Sequence, residues 1–124
     1  MPEGRYLLDT NAIISLLRGE EWCAEPLRAA RWVAVSALSK VEIDAFPEFS
    51  RQDRKCFREF FRRIRILGLG SAPDKLLARL CGKDRLCLGD AIIAATALTH
   101  CATLVTADSS FKRVKGLKLR MPSS

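Results

Sequence analysis

Four acids in this chain of 124 residues, Asp9, Glu42, Asp90 and Asp108, stand at or near points where one secondary-structure element gives way to another. Carboxylates gathered in one place cannot all stay ionised without compensation. Either one is protonated or a cation occupies the pocket. An all-oxygen ligand set favours Mg²⁺ or Mn²⁺, and Mg²⁺ usually takes one or two carboxylates while keeping several waters. Such an ion activates water and neutralises charge developing on a phosphate. If the four acids meet, they outline a metal-dependent phosphodiesterase site. Each also has a local alternative. Asp9 is suited to capping a helix, Glu42 to snorkelling out from a buried stripe, and Asp90 to favouring a positive helix N-terminus.

The elements around them decide whether they meet. Tyr6-Leu7-Leu8 is a short apolar run suited to a strand buried on both faces, and it stops at Asp9. After Thr10 and Asn11, the residues Ala12, Ile13, Leu16 and Leu17 recur at helical spacing. Gly19-Glu20-Glu21 breaks that helix, and a second is expected over about 22–31, with Pro26 tolerated only near its first turn. Trp32 to Val35 reads as strand two. Ser36 can cap the next helix, whose Leu38, Val41, Glu42 and Ala45 share the stripe expected to face the core, and Pro47 ends it.

A strongly amphipathic helix is predicted over 51–65. Phe57, Phe60, Phe61 and Ile64 line one face, and Arg51, Arg54, Lys55, Arg58, Arg62 and Arg65 line another. That second face is either a solvated surface or a phosphate contact. Strand three is expected at 65–69, and Pro73 is well placed to open a helix running to Cys81. The most apolar segment is 86–101, in which Asp90, Ile93, Ala94, Ala97, Leu98 and Cys101 share one helical face. Thr103 to Thr106 reads as strand four, leading to Asp108 and a turn at Ser109-Ser110, and a last short strand is expected near 118–120.

Strands alternating with helices imply an α/β fold with a mostly parallel sheet of about five strands and helices on both faces. Strands then run one way and crossover helices run back. Asp9 and Asp108 follow strand ends, while Asp90 and Glu42 lie early in helices that start from the same edge. Local alternatives taken one at a time do not predict that convergence. The net charge of +7 makes a polyanionic partner plausible, and the length fits a single domain, residues 1–124. No apolar run approaches the roughly 18 residues needed to span a bilayer. The N-terminus does not read as a signal peptide, so the five cysteines are expected as reduced thiols of a cytoplasmic protein.

The segments LLDTNAIISLLRG at 7–19, VAVSALSKVEI at 33–43 and LGDAIIAATALTHCATLVTADSSFKRVKGLKL at 88–119 resemble the PIN domain, in particular the VapC ribonuclease toxins of toxin–antitoxin pairs. The resemblance covers essentially the whole chain and implies a three-layer α/β/α fold. It implies an Mg²⁺-dependent endoribonuclease held inactive by a cognate VapB-like antitoxin and commonly dimeric. The family's acids carry over onto Asp9, Glu42, Asp90 and Asp108, and its small polar residues onto Thr10 or Asn11, and onto Thr106. Many relatives have Asn where this chain has Asp108, and an acid where it has Ser110. Lys112 and Arg113, with Arg51, Arg54, Lys55 and Arg58, are the candidate RNA contacts.

Two other readings compete. A PIN nuclease with a housekeeping role in RNA processing shares all these residues. A phosphoacceptor signalling module also puts acids at a sheet's carboxyl edge, but it wants paired acids after strand one, where this chain has Asp9-Thr10-Asn11. The one histidine, His100, falls at the far end of the helix that Asp90 begins, which argues against histidine-based chemistry.

Overall fold

Leu7 and Leu8 are both fully buried, and successive residues of a strand point to opposite faces of its sheet. The first strand is therefore covered on both sides. In the computed structural model, which describes residues 4–123, it is β1 (Arg5–Leu8). Four more strands join it: β2 (Trp32–Ser36), β3 (Arg65–Leu67), β4 (Thr103–Val105) and β5 (Leu119–Arg120). All neighbouring pairs are parallel, in the order β3-β2-β1-β4-β5. Register stacks the core in two layers. Leu7 lies beside Ala34 and Leu104 on one face, and Leu8 lies beside Val35 and Val105 on the other.

Among the described residues six α-helices connect the strands: α1 (Thr10–Leu17), α2 (Glu21–Ala24), α3 (Ala37–Ala45), α4 (Arg51–Arg63), α5 (Asp74–Gly82) and α6 (Leu88–Thr99). The chain first steps from β1 outward to β3, then returns to place β4 on the other side of β1. Crossovers between parallel strands keep one hand, so reversing direction moves the helices to the opposite face. Ala12 and Ile13 of α1, Ile43 of α3 and Phe57 and Phe61 of α4 accordingly pack on the Leu8 layer. Leu80 of α5 and Ile93, Ala94 and Ala97 of α6 pack on the Leu7 layer. The reversal opens a crevice at the carboxyl ends of β1 and β4, the position where open α/β sheets bind ligands.

Three expectations change. The helix expected at 22–31 is a single α-turn, α2, followed by a 3₁₀ turn over Glu25–Ala29 with Pro26 near its start. A proline there removes an amide donor and crowds the preceding turn, so an α-helix does not run through it. In α3 the buried residues are Ser39 and Ile43, whereas Val41 is 61% exposed and Glu42 and Ala45 also face solvent. Cys101 leaves the α6 stripe, because the helix ends at Thr99 and Cys101 takes a left-handed φ of 54° and is exposed. All five cysteines are free thiols. No described helix is long and apolar enough to cross a membrane.

Candidate active site

Asp9 is the first residue past β1, and its backbone is extended, at φ −78° and ψ 175°. Its amide still bonds Val105 O at 3.2 Å, which continues the β1–β4 ladder, while its carbonyl accepts from Ile13 N at 3.0 Å and so begins α1. The side chain is fixed between these two elements. Oδ1 accepts the Ala12 amide at 2.8 Å, and Oδ2 accepts the hydroxyl of Thr106. Capping the helix does not compete with a place in the crevice: it is what aims the carboxylate there.

Thr106 follows β4 and is fully buried. Its amide bonds Arg120 O at 3.0 Å, extending the ladder to β5, and its hydroxyl accepts the Asp108 amide at 3.0 Å while donating to Asp9. One hydroxyl therefore ties the first acid to the backbone of the fourth. Asp108 is exposed and caps the 3₁₀ turn over Ser109–Arg113 by accepting from Ser110 N at 2.9 Å. Asp90 is half-buried in the first turn of α6, a helix whose N-cap residue, Cys87, supplies no side-chain bond.

Asp9 is 7% exposed. Burial is the main cause that lifts its carboxyl above the usual 3.8. The bonds from Thr106 and Ala12 oppose the rise, and the charges of Asp108 and Asp90 add to it. Two of the other three acids therefore act on Asp9 here. Glu42 joins differently. It is exposed, and its Oε1 accepts the Thr10 hydroxyl at 2.7 Å, with the buried Ser39 Oγ 3.0 Å from the same hydroxyl. Thr10 thus braces Glu42, and Ser39 is a supporting residue that the sequence reading missed. Its signal was its place one turn before Glu42 in α3. Asn11 is exposed and lines a groove of about 430 Å³ with Thr10, Glu42, Ile14, Phe46 and Phe49.

Among the described residues no three of His, Cys, Asp and Glu lie close enough to form a metal cage on their own. A hard divalent ion does not require one, since Mg²⁺ keeps most of its water and takes one or two carboxylates. The donor set fits such an ion. Asp9 is a largely buried carboxylate whose neighbours add negative charge, and the described ion pairs, Arg28–Glu21, Lys40–Asp44, Arg62–Glu59 and Arg120–Glu25, all lie elsewhere.

The proposed basic contacts divide. Arg51, Lys55 and Arg58 are exposed on α4, and Lys112 and Arg113 are exposed just beyond Asp108. Arg54 is half-buried, and its guanidinium donates to Asp44 O at 3.3 Å and Phe46 O at 2.6 Å, fastening α4 to the end of α3. His100 caps α6 and stacks on Trp32, the first residue of β2, which places it at the strand-start edge away from the acids.

Solved structures share this fold. VapBC2 from Rickettsia felis, bound to a DNA fragment of its promoter, is 20% identical with a TM-score of 0.78, covering 95% of this chain and 98% of that one. A toxin–antitoxin complex from Klebsiella pneumoniae is 25% identical with a TM-score of 0.75, covering 90% and 94%. VapBC-5 from Mycobacterium tuberculosis, a member of the VapBC family of toxin–antitoxin systems, is 20% identical with a TM-score of 0.69, covering 96% and 99%. No curated protein sequence matches significantly. The family model of the PIN domain matches residues 6–117, nearly the whole chain, and the protein therefore belongs to the PIN-domain family.

Proposed function

We propose that this PIN-domain protein is a Mg²⁺-dependent endoribonuclease, the toxin of a VapBC-type pair, acting in the cytoplasm. The observation that carries the reading is the Asp9 carboxylate: largely buried, anchored by Thr106 and Ala12, and pressed by Asp90 and Asp108 at the crevice between β1 and β4. A fold that tolerates such a cost at a ligand-binding edge is organised for chemistry there. Asp9 and Asp90 would hold the ion, with Asp108 supporting from the outer side. When bound, Mg²⁺ supplies an activated water and neutralises charge on the phosphate. Glu42, braced by Thr10, orients the attacking water and takes up its proton. The Thr106 hydroxyl favours the ionised form of Asp9, against the effect of burial, and keeps the carboxylate correctly turned. Cations flanking the crevice, Lys112 and Arg113 beyond Asp108 and Arg51, Lys55 and Arg58 along α4, hold the RNA backbone without reading sequence.

Inhibition follows from the same geometry. The groove beside Thr10, Asn11 and Glu42 is walled by Ile14, Phe46 and Phe49. An antitoxin segment that packs apolar side chains there and extends an Arg or Lys towards the acids would displace ion and water together. The VapBC complexes among the structural neighbours support a partner of this kind, and a homodimer is the expected assembly. Asp9→Asn tests the activity. Asn keeps the cap, because the two residues cap helices about equally well, but removes the charge. The variant should fold at least as stably and lose Mg²⁺-dependent RNA cleavage. Full cleavage at equal folded concentration would refute the metal-nuclease reading.

A further inference from the structure

A second cleft, of about 580 Å³, opens at the opposite edge of the sheet, where the strands begin. It draws arginines from three segments: Arg31 just before β2, Arg62 and Arg63 from the last turn of α4, and Arg65, the first residue of β3. Gathering four guanidiniums costs like-charge repulsion unless anions are present. Among the described residues only Arg62 meets a carboxylate, Glu59 at 3.6 Å, and both partners are exposed. The negative end of the α4 dipole favours Arg62 and Arg63. It does not account for Arg31 or Arg65.

The cleft also contains Trp32 and Phe60, but neither offers a free ring. The Arg5 guanidinium lies 4.1 Å from the centre of the Trp32 ring, and His100 stacks on the same residue at 5.9 Å. Phe60 is half-buried and packs edge-on against Phe61 at 5.6 Å. Base stacking on aromatic rings, the usual companion of backbone contact in single-strand binding, is therefore not what this cleft provides. It provides positive charge and planar donors suited to phosphate.

A track connects this cleft to the acids. The segment leading into α4 contains Phe49, which walls the same groove as Thr10, Asn11 and Glu42. The helix then carries exposed Arg51, Lys55, Arg58 and Arg62 along one side and ends in the arginine cleft. Its 13 residues span about 20 Å, and at about 3.4 Å per stacked nucleotide that is roughly six nucleotides.

We propose that the arginine cleft is a phosphate-binding exosite for single-stranded RNA, holding the strand roughly six nucleotides from the cleavage site. The proposal rests on RNA being the substrate. An acidic polypeptide carries the same sign of charge, but cations that recur along the whole of α4, with Asp53 and Glu59 the two acids among them, favour a polynucleotide, whose charge repeats at every unit.

The test is fluorescence anisotropy of a labelled single-stranded RNA of about 15 nucleotides across a salt series, with a chelator present to prevent cleavage. The paired substitution Arg31→Gln and Arg65→Gln should weaken binding roughly tenfold at low salt. It should also reduce the slope of log affinity against log salt by about 1.4, two contacts at about 0.7 each. Lysine at both positions should restore most of that slope, and the glutamines should not lower the melting temperature, because both side chains are exposed and their removal relieves like-charge repulsion. If wild type binds RNA and Arg58→Gln lowers the slope while the paired glutamines do not, the exosite is overturned and the substrate reading stands. If wild type binds no RNA, the substrate reading fails and the exosite with it. A poly-glutamate peptide that binds the cleft and is not displaced by RNA would assign it to an acidic protein and overturn the proposal.

Discussion

The two edges of this sheet carry opposite charge by different means. At the carboxyl edge, Asp9 is buried, and its position is dictated by hydrogen bonds to α1 and to the end of β4. At the strand-start edge, the arginines are exposed, and the fold brings their backbones to one cleft without fixing the side chains. A buried charge held by the backbone can meet a small ion within tenths of an ångström. An exposed cluster on long, flexible stems suits a partner that is itself flexible and is recognised by charge. The first arrangement is what chemistry needs, and the second is what holding a polyanion needs.

The sharpest way to break this contrast is to remove the charge at the buried edge. Adding Mg²⁺ should raise the melting temperature of wild type, because a ligand that binds only the folded state stabilises it by about 2.7 kcal/mol at a hundredfold excess over its Kd. In Asp9→Asn and Asp90→Asn that stabilisation should vanish together with cleavage. A variant that keeps the Mg²⁺ shift but loses cleavage would move its residue from holding the ion to acting on the RNA. The corresponding arginine substitutions at the other edge should leave the Mg²⁺ shift intact.

Thr106→Val keeps the shape of the side chain and deletes its hydroxyl. Asp9 then loses a donor and the Asp108 amide loses its acceptor, at one stroke. Removing a partner from buried polar groups costs about 1–3 kcal/mol, and loss of a bond that orients a metal ligand typically costs about 10- to 100-fold in activity or affinity. Cleavage measured at saturating Mg²⁺ separates the two effects, since weak metal binding is rescued there and misplacement is not. Thr10→Val should be milder, because the carboxylate it braces, Glu42, is exposed.

Why Asp9 and Asp108 were legible in the chain while Ser39 was missed is a matter of periodicity. β1 and β4 are short apolar runs with an acid at or just past their ends, so the strand pattern and the parallel topology place Asp9 and Asp108 at one edge before any coordinates exist, and the family resemblance adds Thr106. Asp90 follows as the acid at the head of an apolar helix. In α3, nine residues long, the apolar pattern points the wrong way: Val41 is apolar but faces solvent, while Ser39 is polar but fully buried. Burial there is decided by α1 and α4, which no local pattern encodes. The same holds for the arginine cleft. Arg31 stands more than 30 residues before Arg62, Arg63 and Arg65 and meets them only because Arg65 opens the strand that pairs with β2.

A smaller effect is the pH dependence of stability. The folded-state carboxyl of Asp9 is raised above its usual 3.8, chiefly by burial. The folded protein therefore holds this group most easily when it is protonated. The cost is absent below about pH 3.8, grows as pH rises towards the elevated value, and is fully present above it. Asp9→Asn never carries that charge. Without divalent ions, its stability advantage over wild type should be largest near neutral pH and should shrink as the solution is acidified. Mg²⁺ should narrow the gap at neutral pH by neutralising the wild-type carboxylate. An advantage independent of pH would mean that the charge of Asp9 is not what the fold tolerates there.

The smallest effects distinguish two neighbouring cations on α4 that the sequence presents as equals. Arg58 is exposed and, among the described residues, its side chain bonds no backbone carbonyl, whereas Arg54 is bound to the carbonyls of Asp44 and Phe46. Arg58→Gln should lower the salt slope of RNA binding by about 0.7, one phosphate contact, with no change in melting temperature. Arg54→Gln should barely alter that slope. It should cost about 1 kcal/mol, seen as a fall of roughly 4 °C in melting temperature, because it unfastens the connection between α3 and α4. The connection carries Phe46 and Phe49, which wall the groove beside Glu42. Arg54→Gln should therefore weaken a partner that packs in that groove more than it weakens RNA. Equal salt-slope losses at the two positions would mean that Arg54 releases its carbonyls to meet phosphate, and α4 would then act as one uniform cationic face.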